Sequence, residues 1–106
     1  MPPPKLKSLS GGAKNELPPP PQAFSDEAQE VLRAWVVDGG LHVSMMKSFD
    51  DPMVWGVLLA DVARHAARIY AEEDGQTEDE VAAHIASIFS AEISTPTDEG
   101  STEAMS

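Results

Sequence analysis

The sequence predicts a small α+β domain of element order α-β-β-α-α, a β-hairpin packed against a helical hairpin, with its sheet completed by dimerisation. Three observations predict it. Arg33-Ala34-Trp35-Val36-Val37 and Leu41-His42-Val43-Ser44-Met45-Met46 carry the one strong strand signal, and they flank Asp38-Gly39-Gly40. Two later segments repeat apolar residues at helical spacing and are joined by the short link Asp74-Gly75-Gln76. No other segment reads as a strand, so the hairpin keeps two bare edges that a second copy of the chain would cover.

The first helix is expected to start at Ser25, a good N-cap, with Asp26 and Glu27 in the first turn where the helix dipole favours acid. Ala28, Val31, Leu32, Trp35 and Val36 follow the i, i+3, i+4, i+7, i+8 pattern of one helical face. Two readings therefore meet at 33–37. The helix could run to Val37 and stop at Gly39, or end near Leu32 and give way to a strand. The hairpin is preferred, because Asp-Gly between β-branched and alternating residues is a strong turn signal. Trp35, Val36 and Val37 also favour strand over helix. In the second strand Leu41, Val43 and Met45 form an apolar face opposite His42, Ser44 and Met46.

The central helix is expected over about 52–73, with Asp51 as N-cap and Pro52 at the first helical position. Trp55, Leu58, Leu59, Val62, Ala66, Ile69 and Tyr70 gather on one side, and Asp61, Arg64, His65, Arg68 and Glu72 gather opposite. A third stripe is small throughout: Gly56, Ala60, Ala63, Ala67 and Ala71. Such a stripe permits close approach by a neighbour, and a contact there would explain a mid-helix Gly56, which costs about 1 kcal/mol against Ala. Gly75 ends this helix. Thr77-Glu78-Asp79-Glu80 is a capping box opening the next, whose apolar face is Val81, Ile85, Ile88 and Phe89.

Composition divides the 106 residues into three. Residues 1–23 form a Pro-rich tail with few large apolar residues, and 95–106 form a polar, acidic tail; both are expected to be disordered. Pro18 to Pro21 read as an extended polyproline linker. The single domain over 24–94 is then about 70 residues, near the lower limit for a lone hydrophobic core. No cysteine is present to staple it. Dimerisation is the remaining remedy.

The formal net charge is −11. Residues 25–93 hold fourteen Asp and Glu against Arg33, Lys47, Arg64 and Arg68. A surface this acidic repels phosphate backbones and anionic lipid, which argues against nucleic acid or membrane as partner. The start Met-Pro-Pro-Pro-Lys has no apolar signal region, and the apolar run from Met53 to Ala60 is too short to span a bilayer. The expectation is a cytoplasmic protein.

The pattern Val31-Leu32-Arg33-Ala34-Trp35, Gly40-Leu41-His42-Val43-Ser44, Asp51-Pro52-Met53-Val54-Trp55-Gly56 and Asp61-Val62-Ala63-Arg64-His65 resembles a small bacterial family classified only as a domain of unknown function. The resemblance covers about Asn15 to Glu99. It implies a single small bacterial domain and carries no activity, ligand or catalytic residue.

Chemistry is sparse. Asp61 and His65 stand i, i+4 on one helix face, where a carboxylate can orient an imidazole for acid–base work. Arg64 and Arg68 share that face, and an ordinary ion-pair network is the simpler account. His42, His65 and His84 lie on three elements without metal-ligand spacing, and no nucleophile elbow or phosphate loop is present. No catalytic residue, metal site or cofactor is assigned. The favoured reading is a non-enzymatic, homodimeric protein-interaction module with Leu41, Val43 and Met45 at the dimer interface. The alternative is a small-ligand-binding or minor enzymatic domain, using Asp61 and His65 in a groove near Trp35 and His42.

Overall fold

Asp38 and Gly39 both take positive φ, 51° and 82°, as a two-residue type I′ turn requires. That turn joins β1 (Leu32–Val37) to β2 (Gly40–Met46) in antiparallel register, with Val37 opposite Gly40 and Trp35 opposite His42. The expected hairpin therefore forms, with β1 starting one residue earlier, at Leu32, and β2 one residue earlier, at Gly40. The computed structural model describes residues 16–97 and 100–105. Its class is α+β: a three-stranded sheet and two long helices.

The described residues fall into two compact units. The sheet unit holds residues 16–48 and 100–105. Its third strand, β3 (Ser101–Met105), pairs parallel with β2, from His42–Ser101 to Met46–Met105. The strand order β1-β2-β3 makes β2 central. The sheet differs from the sequence reading at two points. Residues 101–105 lie within the segment whose composition predicts a disordered tail, yet they complete one edge of the sheet. β2 consequently has neighbours on both sides, so its backbone is not free to pair with the β2 of a second copy.

The expected first helix is absent. Ser25 accepts a bond from the Glu27 amide at 3.2 Å and caps a single turn, closed by Ala28 N–H to the Ser25 carbonyl at 3.1 Å. The chain then runs extended, because the Val31 carbonyl accepts from the Met46 amide and Leu32 begins β1. Pairing of Val31 and Leu32 with β2 wins over their helical spacing. Upstream, residues 16–20 are extended and Pro21–Phe24 form one short 3₁₀ turn. Glu16 is tied to Arg33 at 3.0 Å, so the described part of the expected Pro-rich tail is anchored to the sheet. The rest of that tail, 1–15, and positions 98, 99 and 106 of the acidic one lie outside the described residues.

The helical unit spans Phe49–Thr97 and contains α1 (Met53–Asp74) and α2 (Glu78–Ser94). Pro52 stands at the N-cap of α1, one position later than expected, and Asp51, just before it, accepts from the Met53 amide through Oδ1 at 2.9 Å. Gly75 closes it with φ 71°. Thr77 stands at the N-cap of α2, but its side chain makes no capping bond. The acidic first turn of α2 faces Arg64 instead, which lies 3.0 Å from Asp79 and 3.7 Å from Glu78.

α2 lies along the small-residue stripe of α1. Ala67 is fully buried there, and Val81 of α2 is buried as well. Toward the open end the helices leave a groove of about 370 Å³, lined by Gly56, Ala60 and Ala63 on α1 and Ala82, Ala86 and Phe89 on α2. The stripe is thus a helix contact, but Gly56 is not its close point: a Cβ built there meets nothing within 4 Å. Gly56→Ala is accordingly expected to stabilise the protein by about 1 kcal/mol in chemical denaturation, through helix propensity alone.

Candidate functional site

Of the four residues the sequence singles out, two lie in each unit. Trp35 and His42 are direct cross-strand partners on β1 and β2. His42 Nδ1 is hydrogen-bonded to the Ser101 hydroxyl of β3, so the imidazole fastens one strand to the next. Trp35 is half-buried and lines a cavity of about 200 Å³ with Leu17, Leu32, Ala34, Glu16, Glu30 and Arg33. Arg33 bridges Glu16 and Glu30 across this cavity at 3.0 and 3.2 Å.

Asp61 and His65 occupy successive turns of α1. The imidazole is engaged by arginine: Arg68 Nη1–H donates to His65 Nδ1 at 3.4 Å. Arg68 also lies 3.9 Å from Glu78. Arg64 and Arg68 form an exposed ion-pair network with Glu78 and Asp79 on this side of α1. Exposed pairs of this kind contribute roughly 0–1 kcal/mol each. Among the described residues, no three His, Asp or Glu side chains converge to hold a metal ion. No helix among them is long and apolar enough to cross a membrane.

The residues assigned to the dimer interface belong to β2. Leu41, Val43 and Met45 sit opposite Val36, Ala34 and Leu32 of β1 and share one sheet face with them. Leu41 is exposed, and Val43 and Met45 are half-buried. Their side chains remain available for packing, although the β2 backbone is occupied on both edges.

Sequence reasoning missed two features. The first is a hollow of about 1100 Å³ in the sheet unit, formed between residues 16–24 and 28–33 and flanked by Leu17, Phe24, Val31 and Leu32. Its signal was the isolated Leu17 and Phe24 within a proline-rich run, which composition alone treats as tail. The second is the apolar face of α1 that α2 does not cover. Val62 is 52% exposed, Ile69 53% and Tyr70 48%. They share this face with half-buried Trp55, Leu58 and Ala66. Trp55 packs edge-on against Phe49, with ring centroids 5.5 Å apart and planes at 71°. The sequence indicated both the apolar face and the small-residue stripe as a contact surface; it did not indicate that α2, lying on the stripe, would leave the apolar face uncovered.

A family model described as a domain of unknown function (DUF5076) matches residues 16–97. A solved structure described as a "putative pyruvate dehydrogenase from the photosynthetic bacterium Rhodopseudomonas palustrus CGA009" is 47% identical to this chain. The match covers 91% of this chain and 100% of that one, with a TM-score of 0.68. No curated protein matches the chain.

Proposed function

This chain belongs to the family of the domain of unknown function DUF5076, and from that premise we propose that it is a homodimeric, non-enzymatic interaction module of the bacterial cytoplasm. The observation that carries the reading is the uncovered apolar face of α1. α2 packs along the small-residue stripe at buried Ala67, leaving Val62, Ile69 and Tyr70 about half exposed along one side. A pair of helices held mainly through alanines buries little apolar area, and a helix with a second apolar face needs a second partner. A second copy supplies a matching face under two-fold symmetry, and two helical hairpins then make a four-helix bundle. This moves the expected dimer contact from the β2 edge to α1.

Isotope-filtered NMR on a mixture of labelled and unlabelled chains tests the interface. Cross-chain contacts from the methyl groups of Val62 and Ile69 are expected. Cross-chain contacts confined to the sheet unit would overturn the assignment.

The rival, enzymatic reading comes from the description of the similar structure, which names pyruvate dehydrogenase. The purified chain is expected to give no pyruvate-dependent reduction of an electron acceptor when thiamine diphosphate and magnesium are supplied. A rate proportional to protein concentration would contradict the non-enzymatic reading.

A further inference from the structure

β2 holds its two neighbours by different means. β1 is joined to it by a two-residue turn. β3 reaches it only after both helices, and pairs with it in parallel, the less stable arrangement per residue. All five residues of β3 are exposed, so little side-chain burial supports the strand. It is held by the main-chain ladder and by the His42–Ser101 hydrogen bond. An element with exposed backbone bonds and few packed side chains sits at the low end of local stability.

The entry to this strand is sterically selective. Gly100, with φ 61°, lies opposite Leu41, and a Cβ built there would overlap the Leu41 carbonyl oxygen. The backbone cannot retreat without losing the first ladder bonds. The site therefore reads three things: an extended main chain parallel to β2, a glycine at its start, and a hydroxyl next to it for His42. None of these is unique to this chain's own C-terminal segment.

We propose that the β3 edge of β2 is an acceptor for an extended peptide segment of a partner protein, and that the chain's own Gly100–Met105 occupies it in cis. The partner segment begins with glycine followed by serine or threonine and adds to the sheet as a parallel strand. The inference extends the interaction-module reading and stands on the sheet unit alone, so it holds or fails independently of the dimer face on α1.

The test uses the full chain and a fluorescein-labelled peptide, Gly-Ser-Thr-Glu-Ala-Met, copying residues 100–105. An occupied site weakens the apparent affinity by the fraction of molecules in which it is open. Gly100→Val removes the cis strand by overlap with Leu41, so peptide anisotropy is expected to report binding about tenfold tighter or more than wild type. A peptide with valine in place of its glycine is expected to bind neither protein. Equal affinity of wild type and G100V, or no binding to G100V, would overturn the proposal. A second variant guards against simple damage by G100V. The chain has no cysteine, and Ser44 lies in register with Glu103. In Ser44→Cys/Glu103→Cys, oxidation is expected to lock β3 and abolish peptide binding, and reduction to restore it. Binding undiminished in the oxidised form would equally overturn the proposal.

Discussion

Ile69→Glu is expected to convert the proposed dimer into a monomer. Ile69 lies on the α1 face that α2 leaves uncovered and is about half exposed in one chain. In the isolated chain a glutamate there can keep its carboxylate in water, and Glu is at least as good a helix former as Ile. Helix content by circular dichroism should therefore persist. In a two-fold interface the same carboxylate meets apolar side chains and its symmetry mate. Burying an unpaired charge costs several kcal/mol, so the dissociation constant should rise by about two orders of magnitude or more. Glu72→Gln, on the charged side of the same helix, should leave the mass distribution unchanged. Sedimentation velocity over a concentration series reads both variants. A dimer that survives Ile69→Glu would place the interface elsewhere.

Ala67→Leu is expected to be the most damaging single change within the helical hairpin. Ala67 is fully buried, and it sits one turn from Arg64, whose ion pairs bind the start of α2. A leucine must push α2 away, which lengthens those pairs and opens the contact at Val81. Overpacking of this kind costs about 1–3 kcal/mol. The loss appears as a lower denaturation midpoint with an unchanged slope. The contrast with Gly56→Ala is informative, because both changes add carbon to the same stripe. The stabilising change lies at the open end, where a Cβ finds space, and the destabilising one lies at the closed end.

The hairpin was legible because its determinants are local. Asp38-Gly39 demands positive φ at two successive positions, and the flanking β-branched residues prefer the strand. The ends of α1 and α2 were legible for the same reason, through Asp51, Gly75 and Thr77. The failures share a different cause. Ser25 does cap a turn, but the next residues are recruited to β1, so a tertiary pairing overrides a sound local signal. β3 carries almost no side-chain signature, since it is held through backbone groups that every residue possesses. Glu16 is placed by an ion pair to Arg33, a contact no periodicity announces. For the candidate site, the sequence named Trp35 and His42 without pairing them; their cross-strand register follows from the two-residue turn. Sequence spacing put Asp61 near His65, but could not tell that Arg68 would take the imidazole.

In the proposed dimer α1 offers its alanine stripe to α2 and its large apolar face to a second copy of the chain. Sedimentation equilibrium of the wild-type protein at micromolar concentration tests it most directly. The predicted result is a mass of twice the 11.3 kDa of one chain, falling toward a single chain for Ile69→Glu. A wild-type mass of 11.3 kDa, with a cooperative thermal transition intact, would contradict it.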